Sequence, residues 1–370
     1  MSGRGEKVLS MCKPSEEKAY CLKVPKQLGQ EAIRLVTRLG LLRKDLKVRS
    51  NNAHLFVPLN RKPTPTNRGE LNEALQQYDI SVQGFYRHIK VRRTAFEIAG
   101  DRLPPHLPAS FPRGIDYVGD IAIVEVSPEL KEDKKIIGQA ILEADGHVRT
   151  VLAKSGVIVG VRRLREYEVI AGSANTETVH KENGCRYLLD VRKVYFSPRL
   201  SYEHSRVASQ VEENETVIDM FAGVGPFSVL IAKAHRYVKV YAVDVNPDAV
   251  RYLQRNIAAN GVLGKVIPMF GDVRDLVQRR LRGVADRVIM NLPEKASEYL
   301  EAACEALKPQ GGVVHYYEFA EGPDLLNSVK TRLVEALKLT DREVVEFLSA
   351  RIVREVAPFR WQVAVDVKIS

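Results

Sequence analysis

Glycines and acidic residues recur at three points where a predicted strand ends. The segment IDMFAGVGPFS, residues 218–228, places Gly223 and Gly225 in a turn between a strand and a helix, where backbone N–H groups can approach a ligand closely. Asp244 follows 21 residues after Gly223, at the end of the next strand, where a carboxylate can accept both hydroxyls of a ribose. Asp272 follows the third strand, where it could meet an adenine amino group. The spacing predicts a site for an adenosine-containing cofactor.

The residues around these glycines distinguish between two cofactor classes. Asp219 precedes the F-A-G-V-G turn, although a dinucleotide fingerprint does not require an acid there. Pro226-Phe227-Ser228 stands where that fingerprint has a small third residue, and the fourth strand ends in Asn291-Leu292-Pro293. These features resemble class I S-adenosylmethionine-dependent methyltransferases, in which the tip of the fourth strand faces the transferred methyl group.

The sequence of this tip narrows the atom that would accept the methyl group. N-L-P resembles the (N/D)-P-P-(Y/F) tip of enzymes that methylate exocyclic amino groups, but Glu294 replaces the final aromatic residue. A carbon-5 pyrimidine methyltransferase would need a cysteine near the tip, whereas Cys304 falls in a helix pattern typical of buried core. A ring nitrogen is the acceptor that is left, and it must lose a proton as it attacks the methyl carbon.

These segments belong to a regular alternation of strands and helices that begins at about Glu215. Strands are predicted at 216–221 and 239–245 and in VIPMFGD, DRVIMNL and GGVVHYYEFA, with amphipathic helices between them. Two closing segments, EVVEFLSARIVREVAP and WQVAVDVKI, are predicted to pair as an antiparallel edge. The pattern predicts an α/β fold with a Rossmann-like, doubly wound sheet and ligands at the strand carboxyl ends.

The remainder of the chain predicts two further α+β regions. A strand, a helix over about 26–41 and a second strand indicate a small N-terminal domain, and RKPTPTNRGE (61–70) is predicted to be a linker. The predicted boundaries are 1–80 for the small basic domain, 81–112 for a basic, proline-containing connector, 113–200 for a strand-rich middle domain and 201–370 for the methyltransferase domain.

Positive charge is concentrated in the first part of the chain. The net charge is +10, and residues 1–110 alone carry 20 basic and 10 acidic side chains, whereas the last 160 residues are nearly neutral. This asymmetry indicates a polyanionic partner, most simply nucleic acid. The chain has no apolar run long enough for a membrane helix, no signal-peptide core and no C-x-x-C pair. We therefore expect a cytoplasmic protein with reduced cysteines, without a metal or a membrane contact, and a monomer.

Motifs distributed over nearly the whole chain resemble one family. They are HKENG (180–184), VYFSPRLSYEHSR (194–206), IDMFAGVGPFS, VDVNP, MNLP (290–293) and VVHYYEF (313–319), and together they resemble the archaeal and eukaryotic tRNA (guanine-37-N1)-methyltransferases. The segment CLKVPKQLGQEAIRLVTRLGLLRKDLKVRS resembles that family's first domain, which recognises the outer corner of tRNA. The resemblance implies S-adenosyl-L-methionine as cofactor and methyl transfer to N1 of guanosine 37, beside the anticodon.

The resemblance also implies roles for individual residues. Glu203 matches the general base that removes the N1 proton, and Arg163 matches an arginine that supports charge on guanine O6. Asn291 and Pro293 match the pocket lip beside base and methyl group. The expected tRNA contacts are Tyr195, Arg199 and Arg163, and the expected cofactor contacts are His204, Asp219, Phe221, Gly223, Gly225, Asp244, Val245, Asn246, Asp272, Val273 and Asn291. His204 replaces the arginine that this family often has, so we expect a cofactor affinity that depends on pH.

Three alternative functions remain open from the sequence. A related enzyme transfers the aminocarboxypropyl group of the same cofactor in wyosine synthesis, and another relative methylates both guanosine 37 and a wyosine precursor. The intact S-P-R-L segment, the N-L-P tip and the first domain favour methyl transfer. A non-catalytic tRNA-binding protein is the third alternative, and the intact glycines and Asp244 argue against it.

Overall fold

The computed structural model describes residues 16–75, 77–86, 93–112, 114–156 and 165–370. The predicted catalytic residue Arg163 lies outside these ranges. The chain divides into two compact units, of which the second begins at Arg93.

The first unit contains an antiparallel sheet with the strand order β2-β3-β1-β4. Leu22 and Val24 of its central strand pack against Leu35 and Val36, which lie on one side of the first helix, and this contact builds the core. The predicted strand–helix–strand order is confirmed, and the sheet continues past residue 80 into a fourth strand. The elements are β1 (Glu16–Pro25), α1 (Gly29–Arg38), β2 (Arg49–Ser50), β3 (His54–Leu59), α2 (Pro65–Ala74) and β4 (Asp79–Tyr86).

The linker prediction for residues 61–70 is wrong, because helix α2 begins inside this segment. Thr64 caps the helix: its hydroxyl accepts from the Asn67 N–H, and the Asn67 Oδ1 accepts from the Thr64 N–H. Pro65 occupies the first helical position, where the missing N–H would have no intrahelical partner. Leu71 then anchors the helix in the core. The proline starts this helix instead of breaking it.

The second unit begins with a four-stranded sheet in the order β5-β6-β7-β8. Helix α4 packs on it closely: a Cβ added to Gly138 would lie 2.8 Å from the Ala171 side chain. A separate hairpin, β9–β10, places Tyr187 and Leu189 in the core of the large sheet that follows. The elements are α3 (Ala95–Gly100), β5 (Ile115–Val118), β6 (Ile121–Val124), α4 (Lys134–Ala144), β7 (Thr150–Lys154), β8 (Tyr167–Gly172), β9 (Glu177–Glu182) and β10 (Cys185–Asp190).

A seven-stranded sheet forms the rest of this unit, with the order β13-β12-β11-β14-β15-β17-β16. Its first five strands are parallel, and the last two pair antiparallel, so the predicted doubly wound sheet with an antiparallel edge is confirmed. The elements are α5 (Ser201–Gln210), β11 (Thr216–Asp219), α6 (Pro226–Ala234), β12 (Lys239–Asp244), α7 (Pro247–Ala259), β13 (Val266–Phe270), α8 (Val273–Leu276), β14 (Arg287–Met290), α9 (Leu300–Ala306), β15 (Gly312–Glu321), α10 (Leu325–Leu337), β16 (Val344–Ala357) and β17 (Arg360–Ile369).

The large sheet has a separate core on each face. On β14, Ile289 belongs to one core while its neighbours Val288 and Met290 belong to the other, as alternation along a buried strand requires. Leu253 of α7 packs in the first core and Leu333 of α10 in the second. Burial on both faces leaves the carboxyl ends of the parallel strands as the place where polar side chains can gather.

No helix within the described ranges is long and apolar enough to cross a membrane. Cys21, Cys185 and Cys304 are free and buried, and Cys304 lies in the core on α9 as predicted.

Candidate active site at the carboxyl ends of the parallel strands

A glycine loop joins β11 to α6 at the centre of the sheet edge. Gly223 and Gly225 have φ values of 56° and 93°, in the left-handed region that favours glycine. The Gly223 N–H donates to Asp244 Oδ2 at 2.7 Å, and the Asn246 N–H donates to Oδ1 at 2.8 Å. Asp244 therefore joins the loop after β11 to the turn after β12. Burial raises the pKa of Asp244, and these backbone hydrogen bonds oppose that rise.

A cavity opens beside this loop, and it gathers most of the residues predicted to bind the cofactor. Of that predicted set, only His204, Asp219 and Gly225 lie outside the lining. The lining residues are Tyr195, Met220, Phe221, Gly223, Asp244, Val245, Asn246, Ala249, Gly271, Asp272, Val273, Asn291, Leu292 and Tyr299.

Asp219 lies directly behind this lining and is fully buried. Its Oδ2 accepts from the Ser228 hydroxyl at 2.6 Å, whereas its Oδ1 has no hydrogen-bond partner among the described residues. Burial raises the pKa of Asp219 to about 7, with a further contribution from the nearby Asp244. A buried carboxylate oxygen without a partner suits a cationic group. S-adenosylmethionine carries both a sulfonium and an ammonium, so the residues present fit this cofactor.

Asp272 forms the far wall of the cavity. It caps α8 by accepting from the Arg274 N–H at 2.9 Å, and it forms an ion pair with the Arg274 guanidinium at 2.6 Å. The hydrogen bond from the Arg274 side chain lowers the pKa of Asp272. Arg274 in turn lies over the ring of Tyr299, 4.8 Å from its centroid. Arg274 and Tyr299 were not predicted from the sequence, although the D-x-R spacing of Asp272 and Arg274 is a local signal for an ion pair.

His204 lies outside the lining of this cavity, and its predicted contact with the cofactor stays a prediction. His204 is buried, its Nδ1 lies 2.6 Å from Glu182 Oε1, and its ring meets that of Phe227 edge-on. Although burial opposes the shift, hydrogen bonds from His180 and His204 lower the pKa of Glu182 to about 2. Through Nδ1, His204 therefore fastens α5 to strand β9.

A second cavity of about 430 Å³ lies beside the first, between the small sheet and the closing hairpin β16–β17. Tyr195 lines both cavities and thus forms a common wall. The predicted tRNA contact Arg199 also lines the second cavity, where its Nε lies 2.5 Å from Asp116 Oδ1. The basic residues in its lining are Lys154, Arg165, Arg199, Arg354 and Arg360, and the acidic ones are Asp116, Glu294 and Glu355. The larger number of basic side chains suits an anionic ligand.

Glu203, the predicted general base, lines neither cavity. It is buried on α5, where Oε2 accepts from the Tyr317 hydroxyl and from Arg206 Nε, both at 3.0 Å. Its Oε1 lies 2.7 Å from the Arg351 guanidinium. Tyr317 shares one face of β15 with Phe319, which lines the second cavity. Through Tyr317, Glu203 therefore contacts the face of β15 that also contributes Phe319 to the wall of that cavity.

The tip of β14 is tied to the closing hairpin by a chain of hydrogen bonds. Gln362 Nε2 donates to Asn291 Oδ1 at 3.1 Å, and Arg354 Nε donates to Gln362 Oε1 at 3.0 Å. The other guanidinium nitrogens of Arg354 donate to Ser197 Oγ at 2.8 Å and to the Tyr195 hydroxyl at 3.1 Å. Gln362 and Arg354 were not predicted from the sequence, because nothing local relates these strand residues to the loops they contact.

Pro293 closes the tip through its backbone. Its carbonyl accepts from the Phe319 N–H at 3.3 Å, while its neighbours Leu292 and Glu294 line the first and second cavities respectively. The tip thus runs between the two cavities, and its place beside base and methyl group stays a prediction. Within the described ranges, no cluster of His, Cys, Asp or Glu side chains is arranged to hold a metal ion.

The doubly wound sheet with its antiparallel closing strands, the glycine loop and the acid at the end of β12 define a class I methyltransferase. Family models match three segments: "TRM5/TYW2 methyltransferase domain" over 178–345, "TYW2 N-terminal domain" over 96–176 and "tRNA methyltransferase 5 N-terminal domain" over 21–66. The chain belongs to the TRM5/TYW2 methyltransferase family.

Individual relatives resemble the chain over different lengths. It is 39% identical to the tRNA (guanine(37)-N(1))-methyltransferase Trm5b of Pyrococcus abyssi, over 94% of this chain and 98% of the relative. A solved complex of aTrm5 with tRNALeu superimposes with a TM-score of 0.68 at 34% identity, covering 95% of this chain and 99% of the other. The tRNA(Phe) aminocarboxypropyltransferase of Methanocaldococcus jannaschii is 37% identical, over 99% of its own length but only 70% of this chain.

Proposed function

We propose that this protein transfers the methyl group of S-adenosyl-L-methionine to N1 of guanosine 37 in tRNA. The observation that carries the proposal is the pair of adjoining cavities with the common wall Tyr195, one gathering the cofactor residues and the other lined by five basic side chains. Relatives named for this activity match over nearly the whole chain, which supports the same reaction here.

The cofactor cavity provides for each part of S-adenosylmethionine. The cofactor, when bound, supplies an electrophilic methyl group. Asp244 offers a carboxylate for the ribose hydroxyls, and Asp272 and Val273 lie where the adenine would be recognised. Asp219 does not line the cavity, but its buried oxygen behind the lining, which has no partner among the described residues, would favour a cation bound nearby. Because Asn291 lines the cavity at the tip of β14, we place the reacting base beside it.

Proton removal from the base is assigned to Glu203. The carboxylate is held by three contacts, from Tyr317, Arg206 and Arg351, so it keeps one orientation. Arg351 belongs to the edge strand β16 and is partly exposed, so its side chain can move aside and release Oε1 for a proton. Arg163 is assigned to the charge that develops on O6, and this assignment rests on the family resemblance alone.

The target guanosine must leave the stack of the anticodon loop to reach this site. Bases in single-stranded RNA loops are accessible to proteins because they can be turned out and stacked on aromatic rings. Tyr195 provides such a ring in the wall of both cavities, and Arg199, Lys154 and Arg165 provide positive charge for the phosphates. Positioning of the base by these groups would supply much of the acceleration.

The first unit is proposed to bind the outer corner of the tRNA. Its segment 21–66 matches the tRNA methyltransferase 5 N-terminal domain, and residues 1–110 carry a net charge of +10. The divisions at residues 112 and 200, the monomeric state and the cytoplasmic location are proposals of the same kind, whereas the first unit extends past the predicted boundary at residue 80 to residue 92. Removal of residues 1–92, the whole first unit, should weaken tRNA binding and leave S-adenosylmethionine binding unchanged.

Aminocarboxypropyl transfer is the second candidate, because the segment 96–176 matches the TYW2 N-terminal domain. Both candidates are tested by incubating the protein with S-adenosylmethionine and tRNA transcripts that carry G or A at position 37. We expect mass spectrometry to find a single added methyl group on the G37 transcript only. An aminocarboxypropyl adduct, or equal methylation of the A37 transcript, would contradict the proposal.

A further inference from the structure

Gln362 of β17 is almost completely buried, with 1% of its surface exposed, and both ends of its amide are used. One end meets Asn291 at the tip of β14, and the other meets Arg354 on the neighbouring strand β16. Neither Gln362 nor Arg354 contributes to a predicted catalytic or cofactor-binding set. Because the buried amide of Gln362 is bonded to Asn291 and to Arg354, it nevertheless constrains the orientation of the Asn291 side chain.

The chemistry of Arg354 fixes the direction of each hydrogen bond in the series Arg354–Gln362–Asn291. A guanidinium has only donors, so the Gln362 oxygen must face Arg354 and the Gln362 N–H₂ must face Asn291. Asn291 therefore presents its oxygen to Gln362, and its own N–H₂ is the part of the amide left for the cavity that Asn291 lines. Among the described residues, Asn291 Nδ2 has no hydrogen-bond partner.

We propose that Gln362, itself oriented by Arg354, is a positioning residue that turns the Asn291 N–H₂ towards the reacting base. This inference rests on the proposed function. A donor in this place fits an acceptor on the base, such as the O6 of guanine or a ring nitrogen that has lost its proton. The amino group of adenine at the same place would be a second donor facing the Asn291 N–H₂, so no hydrogen bond could form between them. The chain Arg354–Gln362–Asn291 thus contributes to the choice of guanine over adenine.

Arg354 gives the same chain a second function at the common wall. Its remaining donors reach Ser197 and the Tyr195 hydroxyl, so one guanidinium orients both the tip of β14 and the ring between the two cavities. Because Arg354 lines the second cavity itself, a ligand in that cavity would contact the hydrogen-bonded series Arg354–Gln362–Asn291 directly at Arg354.

The variant Gln362→Glu tests this role because it replaces the N–H₂ donor that faces Asn291 with an acceptor oxygen. A glutamate keeps its contact with Arg354 but offers Asn291 only an acceptor, so Asn291 must turn its N–H₂ away from the cavity. We expect kcat on the G37 transcript to fall by about 10- to 100-fold, with the Kd for S-adenosylmethionine within about twofold of wild type. The ratio of G37 to A37 methylation should also fall.

Two further variants separate orientation from folding. Gln362→Met fills the same volume without imposing either orientation on Asn291, so its loss of kcat should be smaller than that of Gln362→Glu. Gln310→Glu introduces the same charge at an exposed turn before β15 and should behave as wild type. Equal losses for the two Gln362 variants, or an unchanged G37 to A37 ratio in Gln362→Glu, would overturn the inference. A wild-type protein that fails to methylate G37 would instead refute the proposed function, and the inference with it.

Discussion

The buried carboxyl of Asp219 makes the stability of the ligand-free protein depend on pH. Its pKa is about 7 in the folded protein, against an ordinary value of 3.8. Between these two values the folded state holds a proton that the unfolded chain has released, so the free energy of unfolding decreases as the pH rises. A shift of about three pKa units corresponds to about 4 kcal/mol, at about 1.4 kcal/mol per unit. Most of this decrease falls between pH 5 and pH 7.

The variant Asp219→Asn isolates this contribution. An asparagine has nearly the same shape, can still accept from Ser228, and does not titrate. We expect the variant to gain about 2–3 kcal/mol in unfolding free energy relative to wild type between pH 5 and pH 8. Urea denaturation of both proteins at several pH values measures this gain. The contributions of other groups, such as His315, to the pH dependence cancel in the comparison because both proteins contain them.

The exposed Asp341 provides the control, since Asp341→Asn removes one carboxyl without changing a buried group. It should keep the wild-type pH dependence. A difference between Asp219→Asn and wild type that is the same at pH 5 and at pH 8 would contradict this prediction, because Asp219 would then titrate alike in the folded and unfolded states. S-adenosylmethionine should reduce the difference, since a cation beside Asp219 favours its ionised form.

Four further substitutions have expected outcomes. Glu203→Gln should lower kcat by about 100-fold or more while the Kd for S-adenosylmethionine changes little in calorimetric titration; equal losses would contradict its role as base. Gly225→Ala should destabilise the protein by about 1–3 kcal/mol in thermal unfolding, because its φ is 93° and the new Cβ would lie 2.5 Å from Leu253 Cδ1. The matched change Gly261→Ala, at a φ of 69° with nothing within 4 Å, should cost less. Phe359→Gly should stabilise the protein by up to about 1 kcal/mol, since this 79% exposed side chain has a φ of 62°; a lower melting temperature would show that the ring makes contacts that matter.

The sequence predicts those parts of the site that lie within one strand and the turn after it. Asp244 ends β12, Asn291 directly follows β14 and Gly223 lies in the turn after β11, so the order of strands was enough to bring them together. Contacts between distant segments were not predictable in this way. Arg354 reaches Ser197 across 157 positions of the chain, and His204 meets Glu182 on another element. Helix α2 was not predicted for a local reason, because the proline-containing segment 61–70 was interpreted as a linker although Pro65 can occupy the first position of a helix.

Strand β17 is the last of the seven strands in chain order, yet it lies inside the sheet, between β15 and β16. A ribosome releases a chain from its amino end, so β15 and β16 are available to one another before the strand that separates them has been made. Gln362 and Asp366 reach Asn291 and Arg206 only when β17 is inserted. The nascent protein thus acquires the contacts of Gln362 and Asp366 in one late step, and a chain still short of this strand cannot orient Asn291 through Gln362.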